Sequence, residues 1–298
     1  MTASGAPARP GLWRRLSRLA VVRLVLMTVA LLGADIALQI GCLMLANRLP
    51  KAQVDVLPLG GAVVSALVML ALYAGLVRLF ERRKASELAL GPGAGWAALG
   101  VAIGFGLFCA TYAVFLILGL ASWQGVRGAA GIGPAVVTAI VAAIGEEIIF
   151  RGVVFRVIED SLGTWLAIAI SAALFGLLHA ANPGATPVST AAIVLEAGVL
   201  LGVAYSFSRN LWLPIGLHFG WNFTEGGVFG AAVSGRSYHG LVSAPLSAKA
   251  PELMTGGAFG PEASVVAVGV CLAGALVLGL AAAGAGRWKP VSFRMSLA

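Results

Sequence analysis

The chain has 298 residues, of which 59% are hydrophobic and 11% charged, and its mean hydropathy is +0.96. Soluble globular proteins carry about 25% charged residues, so a water-soluble enzyme is excluded as a class. The formal charge of +8 does not indicate a nucleic-acid binder, because the basic residues fall in short clusters beside apolar runs, where they act as topology signals.

The expected fold is all-α, a polytopic transmembrane bundle of about eight helices. Residues 1–23 form a basic N-terminus with Arg14, Arg15, Arg18 and Arg23. The apolar run from Leu24 to Ala46 exceeds the roughly 7–15 residues of a signal-peptide core, so it reads as an uncleaved first helix. Within it Asp35 and Gln39 are four apart and are expected to face other helices, Asp35 as a packing or hydrogen-bonding residue. Further spans are expected at Leu59–Leu79, Gly95–Leu120, Pro134–Val157, Trp165–His179, Thr190–Phe207, Leu213–Val228 and Ser264–Gly284. The fifth and seventh are short, which suggests tilt, re-entry or helices that begin inside the protein. Cys42, Cys109 and Cys271 lie in separate apolar segments without CxxC spacing and carry no disulfide, metal or nucleophile assignment.

Alternate connections receive 15 and 5 Lys and Arg residues. The positive-inside rule then places both termini in the cytoplasm of a multi-pass protein of the cell membrane. The Ala- and Gly-rich composition suggests a bacterial inner membrane. Thr224–Gly260 becomes an extracytoplasmic loop, partly ordered as a cover, with His239 as a surface histidine.

One stretch stands out chemically. Ala143–Gly152 reads AIGEEIIFRG and sets Glu146, Glu147 and Arg151 within an apolar helix, where charges mark a functional site unless they form a purely structural salt-bridge cluster. Glu147 and Arg151 are four apart and share a face; Glu146 is rotated by roughly 100° and left free. Phe175 with His179 and His218 with Asn222 repeat the four-residue spacing. Glu196 is a further charge in an apolar helix and ranks below these residues. Carboxylate and imidazole can activate water, and imidazole and amide can donate to an oxyanion, so the set suggests hydrolysis of a carbonyl. No Ser or Cys completes a triad-like motif, which disfavours a covalent acyl-enzyme. The residues meet only if the fourth, fifth and seventh helices pack together. Their depths would differ by roughly 10–20 Å in fully spanning helices, so short, offset or broken helices around a wet cavity are expected.

EEIIFR, FGLLH and HFGWN, with the connecting GVLLGVAYSFSRNLWLPIGLHFGWNF, resemble the motifs of the CAAX protease and bacteriocin-processing family of intramembrane proteases, which includes type II CAAX prenyl endopeptidases. The resemblance covers Pro134–Phe229 and implies a catalytic core at 131–230. It stands between N-terminal transmembrane helices at 24–130 and a loop at 231–263 that leads to the last helix and tail at 264–298. It further implies that Glu146 is the general base assisted by His179, that His218 and Asn222 form the oxyanion site, and that Glu147 and Arg151 support them, in a catalytic cavity inside the membrane. The family is described both as metalloproteases and as metal-independent glutamate proteases. HExxH is absent, and a metal-free mechanism is favoured, although Glu146, His179 and His218 could hold zinc. The implied partners are a peptide or lipidated protein substrate and membrane lipids, with no nucleic acid. The competing readings are a proton-coupled transporter, which would usually show repeats that this chain lacks, and a catalytically silent membrane scaffold or immunity factor.

Overall fold

The computed structural model describes residues 19–49 and 57–291. Arg9, Arg14, Arg15, Arg18, Lys51 and Arg294, which enter the topology argument, lie outside those residues. Among the described residues eight long helices make the bundle. They are α1 (Ala20–Ala46), α2 (Leu57–Glu81), α3 (Leu90–Ile117), α4 (132–155), α5 (Arg156–His179), α6 (Pro187–Ser208), α7 (212–228) and α8 (Val265–Gly284). Six stretches, with α4 and α5 running on as one, are long and apolar enough to cross a membrane. The chain is a multi-pass membrane protein.

The side chains are distributed as lipid contact requires. On α1 only Met27 and Leu31 are fully buried, while Val21, Val25, Val29, Ile36 and Ile40 point outward from the bundle. In hydrocarbon such residues cost nothing, and association must come from close packing and polar contacts. Both are visible. Gly100 and Gly104 of α3 face Gly216 and Gly220 of α7, and the backbones touch. A Cβ on Gly100 would lie 2.3 Å from the Leu213 carbonyl oxygen, and one on Gly220 would lie 2.4 Å from that of Val101. Paired GxxxG spacings thus fix α7, the helix that carries His218 and Asn222, against α3.

Polar contacts fix the end of α4. The Tyr73 hydroxyl donates to the Glu87 carboxylate and lies 2.9 Å from the Gly152 carbonyl oxygen. Arg156 reaches Glu81 at 2.7 Å, and Arg83 reaches Glu87 at 2.7 Å. Burial raises the Glu87 carboxyl, but the hydrogen bonds from Arg83 and Tyr73 outweigh it and hold the group below its ordinary value. A second cluster joins Glu159 to Arg209 at 2.5 Å and to Lys289 at 3.1 Å, which ties α5 to the turn before α7 and to the segment after α8.

Several helices are not regular. Wide π turns occupy Val77–Glu81 in α2, Ile148–Phe155 in α4, Val194–Gly198 in α6 and Phe223–Val228 in α7. Such turns recur at functional sites because they rotate side chains off the regular helical face. Helix α5 starts at Arg156 rather than at Trp165, but Gly163 (φ 76°, ψ 172°) breaks it, so the stretch leading to His179 is a separate short segment. Only glycine takes that left-handed geometry freely. Helix α6 starts at Pro187 behind a capping box made by Thr186 and Ser189.

The segment after α7 is ordered. Leu241 N donates to Gly227 O at 2.8 Å, Gly235 N donates to Phe259 O at 2.7 Å, and a two-residue ribbon pairs Gly125–Val126 with Val242–Ser243. The expected cover is therefore a folded structure, and His239 is exposed on it. The three cysteines are free thiols.

Candidate active site

Glu146 and Glu147 end the regular part of α4, and the wide turn that follows carries Arg151. Glu147 and Arg151 are both fully buried, and Arg151 Nη1 donates to Glu147 Oε1 at 2.8 Å. The guanidinium also donates through Nη2 to the carbonyl oxygens of Ala197 (3.2 Å) and Gly198 (3.1 Å), and its carbon lies 4.7 Å from the centroid of the Phe175 ring. Arg151 thereby fastens α4 to the wide turn of α6 and to α5. The spacing of four residues foresaw the ion pair; the bonds across to α6 had no sequence signal.

The same Glu147 oxygen receives His218 Nδ1 at 3.1 Å. A carboxylate there can only accept, so Nδ1 bears the hydrogen and Nε2 is left to the cavity that His218 lines. His179 is oriented in the same manner, with Nδ1 donating to the Phe175 carbonyl oxygen at 2.8 Å. Its Nε2 stands 3.7 Å from Glu146 Oε2. That is too long for a direct hydrogen bond. Glu146 remains a quarter exposed (25%), whereas Glu147 beside it has no exposure. Neighbouring carboxylates are thus divided into one facing open space and one locked in the wall.

Phe175 sits at the centre of this arrangement. Its ring lies 4.7 Å from that of His179 and 6.2 Å from that of His218. Glu146, His179, His218, Asn222 and Glu196 all line one open cavity. The four-residue pairs from α4, α5 and α7 therefore converge as expected. The depth conflict disappears because α5 is broken at Gly163, the active part of α4 is followed by a wide turn, and α7 is short.

Asp35 faces the same turn from outside. A Cβ on Gly145 would lie 3.5 Å from its Oδ1, and Gln39 Nε2 donates to its Oδ2 at 2.7 Å. The expectation that both residues face helices holds for Asp35, but Gln39 is exposed. Its amide is satisfied by Asp35 rather than by a neighbouring helix.

Two acidic residues of this region escape a reading of the apolar runs. Glu225 is not part of a loop: α7 continues through it to Val228 and buries it fully. Its place three residues after Asn222, in the same apolar run, was the available signal. Glu262 sits in the short turn before α8 and lines the cavity, and its Oε1 accepts from Ser234 N (2.8 Å) and Oγ (2.7 Å). Burial pushes the Glu262 carboxyl up against the effect of those bonds. Nothing in the local sequence of this Gly-rich segment marks Ser234 or Glu262.

The residues do not form a ready metal centre. Among the described residues no three His, Cys, Asp or Glu side chains group as metal ligands. Glu146 and His179 face each other, and His218 gives its Nδ1–H to Glu147 and keeps Nε2 available. The arrangement instead offers a base, an orienting imidazole and hydrogen-bond donors around one space.

No curated protein and no solved structure matches the chain. The family model described as type II CAAX prenyl endopeptidase Rce1-like matches residues 128–224, which span all the paired motifs, and this segment of the chain is similar to that family.

Proposed function

We propose that the protein is an endopeptidase that hydrolyses a peptide bond of a membrane-associated or lipidated substrate with water activated by Glu146. The observation that carries this reading is the division of the two carboxylates: Glu146 opens to the cavity 3.7 Å from His179 Nε2, while Glu147 is spent on Arg151 and His218. Glu146 takes a proton from a water oriented by His179, and the oxygen attacks the carbonyl carbon of the scissile bond. The oxyanion accepts hydrogen bonds from the Asn222 amide and from His218 Nε2, which donates when the ring carries both protons, a state that the Glu147 carboxylate favours. Glu146 then returns its proton to the leaving nitrogen, and the C–N bond breaks.

No metal enters these steps. The support for that choice is Glu146, whose carboxylate opens to the cavity and is not committed to an ion pair with Arg151; the Nδ1–H bonds of His179 and His218 leave both Nε2 atoms available and fit either mechanism. The resemblance to prenyl endopeptidases makes a lipidated C-terminus one candidate substrate, and leader peptides or membrane proteins are the others. The distribution of Lys and Arg supports an inner-membrane orientation with both termini in the cytoplasm.

The test is cleavage by the purified protein in lipid, with farnesylated CAAX peptides and membrane-anchored leader peptides, and products identified by mass spectrometry. Cleavage by the wild type that Glu146→Gln abolishes supports the reading. Cleavage that survives in Glu146→Gln overturns the role of Glu146.

A further inference from the structure

The cavity holds more acid than the hydrolysis uses. Glu196, Glu225 and Glu262 come from α6, α7 and the turn before α8, and all three are at least 96% buried. Glu196 and Glu262 line the catalytic cavity, and Glu225 lies within electrostatic reach of both. Glu196 Oε2 has no hydrogen-bond partner, and neither has either oxygen of Glu225 beyond its contact with the Glu262 carboxyl. Glu262 is held in place by Ser234 through its Oε1. Arg236 supplies the cavity's one Lys or Arg side chain, is exposed at the lining, and pairs with none of these carboxylates. A chain with a formal charge of +8 thus encloses an acidic cavity.

Buried carboxylates without a donor are costly, and a ligand that brings donors and a positive charge removes that cost. A metal is a poor candidate, because among the described residues no three acidic or His side chains group as ligands. A cation that arrives with its own hydrogens is a better one. A guanidinium or ammonium provides several donors and one positive charge, which matches the unpartnered Oε2 of Glu196 and the Glu262 carboxyl that lines the same cavity.

We propose that Glu196 and Glu262, backed by Glu225, form a subsite that binds a cationic group of the substrate, a Lys or Arg side chain near the scissile bond. The proposal rests on the peptidase reading and adds to it the class of side chain selected. Specificity arises because a neutral side chain of equal size leaves the buried carboxylates uncompensated.

The experiment uses the full chain in lipid nanodiscs. Binding of n-butylguanidinium is compared with that of its neutral isostere n-butylurea, by calorimetry and by thermal shift. The wild type binds the cation saturably and the urea at least about tenfold more weakly, and Glu196→Gln and Glu262→Gln each weaken cation binding about tenfold or more. Glu252→Gln, on the exposed surface, leaves it unchanged. Equal binding of the two probes, or cation binding indifferent to both Gln variants, overturns the subsite. The melting temperature of each variant identifies misfolding, and either variant suffices if the other fails to fold. In parallel, cleavage is measured on matched peptides that carry Lys, Arg, Gln or norleucine beside the scissile bond. Glu-dependent cation binding without cleavage of any peptide leaves the subsite standing and removes the peptidase reading. Glu146-dependent cleavage without preference for Lys or Arg does the reverse.

Discussion

Arg151 and Glu147 meet at 2.8 Å with neither side chain exposed, and the oxygen that joins them also receives His218. The pair therefore links helix packing to the orientation of a site imidazole. Removing one partner leaves the other as an uncompensated buried charge, so Arg151→Ala and Glu147→Ala are each expected to destabilise the protein by about 3–5 kcal/mol. Denaturant titration of the purified variants in one detergent measures this. Wild-type stability in both would show that the pair is structurally idle.

Glu146 behaves oppositely. Its carboxylate is a quarter exposed and stands 3.7 Å from His179 rather than in a close ion pair, so Glu146→Ala should leave the melting temperature near that of the wild type. Loss of a general base lowers turnover by roughly 10²–10⁴-fold. A variant that melts early and loses activity in proportion to its unfolded fraction would assign Glu146 to structure instead.

These opposite outcomes follow from helix periodicity, which was legible in the sequence: the spacing of Glu147 and Arg151 separates them from Glu146 before any packing is known. The number of helices and the pairing of Phe175 with His179 and of His218 with Asn222 were legible for the same reason. Long-range closure was not. The bonds from Arg151 to Ala197 and Gly198, the break at Gly163 and the anchoring of Glu262 by Ser234 depend on backbone geometry that no local pattern encodes. The span expected at Trp165–His179 corresponds to the segment that follows the break at Gly163, whereas the helical turns from Arg156 to that break were not expected as part of it.

The contact of α3 with α7 carries its own test. A Cβ on Gly104 would lie 2.1 Å from the Leu217 carbonyl oxygen, so Gly104→Ala must part the two helices. Overpacking of this kind costs about 1–3 kcal/mol, and the shift of α7 should lower turnover by up to roughly 10²-fold by displacing His218 and Asn222. Gly106→Ala on the same helix, with nothing within 4 Å, is the control and should be neutral or stabilising. Equal effects of the two substitutions on melting temperature and turnover would remove the packing argument.

Glu87 predicts an acid limb of stability. Its folded-state value is depressed below 4.5 because the hydrogen bonds from Arg83 and Tyr73 exceed the cost of burial. A depressed carboxyl stabilises the fold at pH above its unfolded value, and the contribution is lost as pH falls through 4.5 and on through the folded value. Stability of the wild type should therefore fall in that window, and Glu87→Gln should be less stable at neutral pH with a shallower decline. Parallel pH profiles of the two proteins would refute the assignment.

The last prediction separates a hydrogen-bonding oxyanion site from a metal centre. Asn222 lines the cavity beside His218 and one turn beyond it on α7, and an amide donates well to an oxyanion but is a poor zinc ligand. In a metal-free mechanism Asn222→Ala lowers kcat by roughly 10²–10³-fold with little change in KM. Chelation of the purified protein then leaves both constants unchanged, and His179→Ala and His218→Ala alter activity without altering metal content. In a metal-dependent mechanism, chelation abolishes activity, zinc restores it, and both histidine variants lose bound metal. Metal content measured beside activity, before and after chelation, decides between them. One zinc per chain that tracks activity would make Glu146, His179 and His218 ligands, and would require the cavity to close around them more tightly than the 3.7 Å separation of Glu146 and His179.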